Sequence, residues 1–247
     1  MADWQDDGIV LGTRPHGETA AVVTLLTRAQ GRHAGLLPGG QSRTKQSWLQ
    51  PGQQVVANWR ARLSEQLGTF TLEPSQPYPS AVLDNALALA GLSSACSVAD
   101  AALPEREPHP ALFEGLAALM ETFDNPVWPY AYVRWELGLL REIGYGMELD
   151  FCALTHQPDS PDDPLEYVSP RTGRAVCRSA AAPYKEKLLV LPGFLVGRGA
   201  PTTEELLAGL RLTGFFLERS VFAVHHAPLP AARVRLVEKL LQSELVE

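Results

Sequence analysis

Apolar and polar residues alternate in short runs over residues 1–78, which is the pattern of half-buried β-strands. Glycine and proline residues separate the runs, because proline donates no ladder hydrogen bond and glycine packs no side chain. The predicted strands span residues 8–13, 20–27, 32–37, 53–64 and 68–73. Five short strands in one segment predict a small closed barrel such as an OB-fold, although an SH3-like barrel gives a similar pattern.

The fourth run indicates which side chains the barrel buries. Alternate residues of a strand point to opposite faces. The apolar face carries Val55, Ala57, Trp59, Ala61 and Leu63. We therefore predict that Trp59 lies in the barrel core, whereas Arg60 and Arg62 face outwards, about 7 Å apart, which is close to the phosphate spacing of a nucleic-acid strand.

The pattern changes to helical spacing after a proline-rich linker at residues 74–79. Helices are predicted over residues 81–102 and from the prolines at 110 and 129, because proline fits the first helical position. A further helix begins at the capping box Thr202–Glu205, and a last one covers residues 231–245. The apolar face predicted for the last helix consists of Val234, Val237, Leu241 and Leu245.

The predicted fold class is therefore α+β. An OB-fold-like barrel is followed by an α-helical bundle that contains a small hairpin insert. The predicted domains are the barrel at residues 1–78, the helical domain at residues 79–148 and 181–247, and the insert at residues 149–180.

The insert resembles a zinc ribbon that has lost half of its ligands. Cys152 and Cys177 each begin a spacing of Cys-x-x-Cys type, but the second positions hold Thr155 and Ala180. A structural zinc ion needs four ligands, and two thiolates do not hold it tightly. We therefore interpret the two cysteines as remnants of a four-cysteine site and expect no metal or other cofactor. The open alternative is that a neighbouring histidine or aspartate replaces a lost ligand.

Charge is distributed unevenly along the chain. The 247 residues include 21 basic and 28 acidic ones, which gives a net charge of −7. The segment from Arg14 to Arg62 has seven basic residues and one acidic residue, Glu18, so its net charge is +6 and the remainder carries −13. A basic module on an acidic chain indicates an anionic partner, although a solvated strand face is the plainer alternative.

Several classes of protein are disfavoured by the sequence. No apolar run approaches the roughly 20 residues of a membrane helix, and the first ten residues lack the features of a signal peptide. Three cysteines are too few for a disulfide framework, so we expect a cytoplasmic protein. No nucleophile elbow, P-loop, His-Glu-x-x-His or dinucleotide fingerprint occurs, so we expect no enzyme.

The candidate binding residues are the cations of the basic segment and one tryptophan. Residues 31–45 run from a short apolar strand through Pro38-Gly39-Gly40 into a predicted mobile loop, which is suited to fit around phosphates. Trp48 follows this loop, and either stacks on a base or caps the barrel. The predicted DNA-binding residues are Arg14, Arg28, Arg32, Arg43, Lys45, Arg60, Arg62 and Trp48.

The order of these parts resembles the bacterial recombination mediator family RecO. The resemblance is carried by residues 8–18, by residues 31–45, by Cys152-Ala-Leu-Thr155 and by residues 167–176, and it covers essentially the whole chain. The missing second cysteines depart from the zinc-binding members of the family.

The resemblance implies DNA repair and recombination without covalent chemistry. It implies a protein that binds single- and double-stranded DNA through the barrel, anneals complementary strands and acts with RecR. It also implies contact with the C-terminal tail of the single-strand-binding protein SSB and, indirectly, with RecA on SSB-coated DNA, in the nucleoid of the cytoplasm. A protein adaptor that does not bind DNA, and a barrel that binds another polyanion such as RNA, are the alternatives.

Overall fold

A computed structural model of the chain describes residues 2–244, apart from the side chains of His225 and Glu244. Its backbone divides into two compact units, Met1–Pro126 with Pro230–Leu236, and Val127–Leu229 with Val237–Glu247. Leu245, which the sequence analysis placed on the last helix, lies outside the described residues. No helix in the described part of the chain is long and apolar enough to cross a membrane.

The first unit begins with a five-stranded barrel. Its strands are β1 (Ala2–His16), β2 (Ala20–Thr27), β3 (Gly31–Leu37), β4 (Gln54–Ala61) and β5 (Thr69–Pro74). The order β1-β2-β3-β5-β4 closes because β4 also pairs with β1. All pairs are antiparallel except β3 with β5, which meet in parallel where Leu36 lies beside Thr69. This is the strand order of an OB-fold, so the predicted fold class is confirmed and the SH3-like alternative does not apply.

The barrel interior follows the predicted alternation of β4. Val55, Ala57 and Trp59 are buried together with apolar residues of the other strands, and the indole N–H of Trp59 donates to the Leu67 carbonyl at 2.9 Å. The prediction that Trp59 belongs to the core is confirmed. Leu63 was assigned to the same face, but it lies beyond the end of β4 and is exposed.

A helical turn, α1 (Arg43–Gln46), lies between β3 and β4, and the barrel is followed directly by α2 (Ser80–Asp84), α3 (Ala86–Ala102) and α4 (Pro110–Met120). Helix α3 packs against β1 and β2, and α4 packs against β2. Ile9 and Leu26 lie opposite each other on these strands and are fully buried, although neither belongs to the interior cluster of the barrel. The outer side of β1 and β2 is therefore apolar here because it faces the helices.

The second unit contains helices and a small sheet. Its elements are α5 (Trp128–Glu142), β6 (Leu165–Val168), β7 (Ala175–Cys177), α6 (Arg178–Ala181), β8 (Leu189–Val190) and α7 (Thr203–Phe216). Helix α5 packs against α7, where the buried carboxylate of Glu136 accepts hydrogen bonds from the hydroxyls of Tyr132 and Thr213. The predicted capping box is present, since Thr202 and Glu205 exchange their hydrogen bonds at the start of α7. A π-helical segment, Leu217–Phe222, continues α7.

The predicted hairpin insert forms from β6 and β7, and β8 adds a third strand, giving the order β7-β6-β8. The hairpin turns at Gly173, which has a positive φ of 69°, a backbone conformation that favours glycine. The last helix, α8 (Ala231–Glu244), has residues in both compact units. The division into units groups α3 and α4 with the barrel, and the predicted domain boundaries remain a prediction.

Two predictions of local structure are wrong. The supposed loop after Gly40 contains a helical turn, α1 (Arg43–Gln46), because the Ser42 side chain caps it by accepting from the N–H of Lys45. In α8, Val234 and Leu241 are each 42% exposed, whereas Leu236 and Leu240 are buried. The buried face of α8 is therefore rotated about the helix axis relative to the predicted face.

Candidate nucleic-acid interface

The connection between β3 and β4, residues 38–53, presents Arg43 at the surface of the barrel. Arg43 is exposed on α1, and no ion pair among the described residues involves it. The Lys45 ammonium donates to the Pro38 carbonyl at 2.7 Å. This lysine therefore adds positive charge and also holds the two parts of the connection together. The segment is thus a short capped turn with cations on it, in place of the mobile loop predicted.

Gln41 ties this connection to the turn between β1 and β2. Its backbone N–H donates to the Thr19 carbonyl at 3.0 Å, and its side-chain amide donates to the carbonyls of Gly17 and Ala20 at 2.9 and 2.8 Å. Arg14, near the end of β1, lines a cavity of about 380 Å³ together with Gln46 of α1. The structure therefore brings Arg14 and the segment of Arg43 and Lys45 to the same end of the barrel.

Trp48 is half-buried and packs against the apolar core of the barrel. This contact agrees with the capping alternative of the sequence analysis. Its backbone N–H donates to the Lys45 carbonyl at 3.2 Å, so Trp48 directly follows the segment that carries Arg43.

Arg60 and Arg62 lie at the end of β4 and in the connection to β5, residues 62–68. Both are exposed, as predicted for the outer face. Successive Cα partners lead from Arg14 through Val22, Leu36 and Thr69 to Arg60. Four steps at the usual strand spacing put the two arginines roughly 19 Å apart along the barrel surface.

Arg106 is a cation near this surface that the sequence analysis missed. Its guanidinium donates to the carbonyls of Ser64 and Gln66, and so holds the β4–β5 connection from the segment that follows α3. The residue has a positive φ of 63°, which is unusual for arginine. The sequence around Arg106 could not predict this contact, because its two partners lie about 40 residues earlier in the chain.

Arg28 and Arg32 differ from the other predicted residues because carboxylates hold them. Arg28 pairs with Asp7 at 3.8 Å and with Glu114 of α4, and its guanidinium lies 4.7 Å from the ring centre of Phe113. The Arg32 side chain is 20% exposed, with its Nε 2.8 Å from Asp100 and its Nη1 3.4 Å from Glu105. Both arginines link the barrel to the helices, so we leave them out of the proposed interface.

The geometry of Cys152 and Cys177 does not fit a zinc ion. Both cysteines are buried and free, and the Cys177 N–H donates to the Cys152 sulfur at 3.3 Å. The third ligand position holds the Thr155 hydroxyl, 3.8 Å from the Cys177 sulfur, and the fourth holds the Ala180 methyl group. Among the described residues no group of three or more His, Cys, Asp or Glu side chains is placed to bind a metal.

Sequence comparisons identify the family. The family model "Recombination protein O N terminal" matches residues 1–78, and the model "Recombination protein O C terminal" matches residues 83–229. The chain belongs to the RecO family. A "DNA repair protein RecO" of Rhodospirillum centenum is 56% identical over 237 residues, which cover 96% of this chain and 94% of the relative. The proteins of the same name from Caulobacter vibrioides and Phenylobacterium zucineum are both 48% identical; each alignment covers 98% of this chain, and 99% and 98% of the relatives.

Membership of the RecO family confirms the resemblance found in the sequence and the expectation of a DNA repair and recombination protein that is not an enzyme. The N-terminal RecO model matches the part of the chain that contains all five barrel strands.

Proposed function

We propose that this chain is a recombination mediator that binds single- and double-stranded DNA at one end of its OB-fold barrel. The proposed contacts are Arg14, Arg43, Lys45, Arg60 and Arg62, with Trp48 as a base-stacking neighbour. What carries the proposal is that the four arginines of this set are exposed and, among the described residues, without ion-pair partners, in a segment of net charge +6. OB-folds bind oligonucleotides at this kind of strand face and at the loops beside it.

The proposed mechanism is electrostatic. Each phosphate that a cation neutralises releases counterions, which drives binding without sequence preference. Two complementary strands repel each other through their phosphates, and a protein that screens this repulsion speeds their pairing without making or breaking a covalent bond. We further propose, on the family resemblance, that the protein anneals strands and helps RecR to load RecA on SSB-coated DNA in the bacterial nucleoid, with contact to the SSB tail.

The test is a titration of a labelled single-stranded oligonucleotide across a salt series, with the full chain and with Arg43→Glu/Lys45→Glu. We expect affinity to fall at least tenfold and the log–log salt slope to become shallower by about 1.4, because two contacts of about 0.7 each are lost. Arg141→Glu/Arg211→Glu changes two exposed arginines of the second unit by the same total charge and serves as the matched control.

Unchanged affinity and slope in the barrel variant, with native circular dichroism, contradict the proposal. An RNA strand of the same sequence that binds as tightly as DNA favours the broader polyanion alternative. No binding of either strand by the unmodified chain favours the protein adaptor.

A further inference from the structure

The second compact unit contains a cleft of about 620 Å³ beside the hairpin insert. We call it the hairpin cleft. Its floor and walls come from Leu154, Val176, Tyr184 and Leu188, and its rim carries cations. Leu154 is 58% exposed and Tyr184 54% exposed, so both side chains offer accessible apolar surface in the cleft. The volume lies within the range of pockets that hold a ligand larger than one side chain.

The rim of the hairpin cleft is positively charged. Arg171, Arg174 and Lys187 line it, and none of its lining residues is acidic. No ion pair among the described residues involves Arg171 or Lys187. Arg174 pairs with Glu148 at 2.7 Å, but both partners are about half-exposed or more, so the pair is weak and can be exchanged for a phosphate. The rim therefore attracts an anion although the chain as a whole is acidic.

The walls of the cleft are fixed by hydrogen bonds. The Arg219 guanidinium, in the π-helical segment after α7, donates to the Pro170 carbonyl at 2.8 Å and so anchors the hairpin turn before Arg171. The Ala153 N–H donates to the Ala175 carbonyl at 2.7 Å, which places Leu154 beside β7. Opposite, the Lys187 N–H donates to the Tyr184 carbonyl at 2.8 Å in a single helical turn. A ligand thus meets a preformed surface.

We propose that the hairpin cleft binds a second nucleic-acid strand, with Tyr184 stacking on a base and Arg171, Arg174 and Lys187 contacting phosphates. An exposed aromatic ring among cations, with no carboxylate in the lining, is the arrangement by which proteins bind single strands without sequence preference. This proposal rests on the proposed function, because annealing needs a second strand in addition to the one held by the barrel. The cleft gives that strand a site of its own.

The decisive experiment measures first-strand binding and annealing separately. Full-length Arg171→Glu/Lys187→Glu is compared with Arg141→Glu/Arg211→Glu, which makes the same charge change elsewhere in the unit. We expect the cleft variant to bind a first labelled strand within about twofold of the control, but to anneal complementary oligonucleotides at least about tenfold more slowly. Tyr184→Ala should slow annealing about fivefold or more, whereas Tyr184→Phe, which keeps the ring, should not.

Photocrosslinking locates the strand directly. A 4-thiothymidine oligonucleotide is added to protein that already holds one equivalent of an unmodified, non-complementary oligonucleotide, and the crosslinked peptides are mapped by mass spectrometry. We expect adducts at or beside Tyr184 in addition to those in the barrel.

The outcomes separate the two proposals. If the unmodified chain neither binds nor anneals DNA, the proposed function itself fails. If it anneals, but the cleft variants anneal as fast as the control and crosslinks map only to the barrel, the second-strand site is overturned. Binding of an acidic peptide in the cleft, with no crosslink to the oligonucleotide, overturns it in favour of a protein partner.

Discussion

His33 lies inside the barrel among aromatic rings. Its ring centre is 5.0 Å from that of Trp4 and 4.8 Å from that of Trp59, both in edge-on contact. The side chain is 4% exposed, and neither ring nitrogen has a hydrogen-bond partner among the described residues. Burial and, to a smaller extent, the positive charge of Arg106 lower the pKa of His33 to about 4. The barrel therefore contains this histidine in its neutral form.

The lowered pKa of His33 makes stability depend on pH. Above pH 6.5 the histidine is neutral in both the folded and the unfolded chain, so it adds no pH dependence. Between pH 6.5 and about 4 the unfolded chain binds a proton that the folded chain does not, and the free energy of unfolding falls by up to about 1.4 kcal/mol per pH unit. Below about pH 4 this loss is complete.

Urea unfolding at a series of pH values tests this expectation. His33→Leu should remove the part of the decline that falls between pH 6.5 and about 4, and the exposed His16→Asn should leave it in place. Parallel pH curves for the unmodified chain and His33→Leu would show that the pKa of His33 is the same in the folded and the unfolded chain.

Residue predictions succeeded where a short pattern fixes the environment of a side chain. Trp59 was predicted to be buried because β4 alternates cleanly, and Arg60 and Arg62 were predicted to be exposed for the same reason. Arg28 and Arg32 could not be distinguished from them, because their partners Asp100, Glu105 and Glu114 lie in the helical part of the chain, about 70 or more residues later. Charge counted along the chain does not reveal which cations are already paired.

Elements were predicted well where turn residues separate them. The five strands match the predicted runs within a few residues, apart from an earlier start of β1, because glycine and proline mark their ends. Proline also marked the start of α4 and of α5. The face of α8 was wrong, since several apolar positions compete in a short amphipathic helix and only the packed structure decides which of them is buried.

The hairpin insert supports a prediction about metal binding. Burial raises the pKa of Cys152, but hydrogen bonds from the Thr155 hydroxyl and from nearby backbone N–H groups outweigh it and lower the pKa to about 7. The backbone bonds, such as that from the Cys177 N–H at 3.3 Å, remain when Thr155 is replaced. Hydrogen bonds to sulfur favour the thiolate that a metal needs. We expect Thr155→Cys/Ala180→Cys to acquire about one zinc ion per chain, as four thiolates complete a tetrahedral shell, and the unmodified chain to acquire none.

Elemental analysis of the purified proteins and the absorption of cobalt–thiolate complexes measure this difference. Adding Cys152→Ser to the double variant should abolish the gain. Stoichiometric zinc in the unmodified chain would show that other groups replace the missing ligands.

At the scale of the whole molecule, the barrel depends on the helices that follow it. Gly31 has a positive φ of 69°, and a Cβ atom there would lie 1.9 Å from the Glu107 carbonyl oxygen. Ile9 and Leu26 are buried outside the barrel interior, and Arg28 and Arg32 pair with carboxylates of the helical part of the first unit. The helical part of the first unit thus covers a side of the barrel that carries both apolar and charged residues.

This dependence predicts that residues 1–78 are not stable alone. Exposing Ile9 and Leu26 costs about 1.5–3 kcal/mol each, which is a large part of the stability of a small domain. We expect a fragment of residues 1–78 to unfold without a cooperative transition, or far below the temperature of the full chain, in a thermal scan by circular dichroism. A cooperative transition of the fragment at the temperature of the full chain would show that residues 1–78 form an independent domain.

The meeting of β3 and β5 has a mechanical consequence. Leu36 donates its N–H to the Gly68 carbonyl at 3.0 Å, beside the parallel pair Leu36 and Thr69. The connection with Arg43 leaves β3 one residue after this bond, and the connection with Arg62 enters β5 directly after it. The bond therefore joins the two cationic segments, and we expect a DNA strand that displaces one of them to shift the other as well.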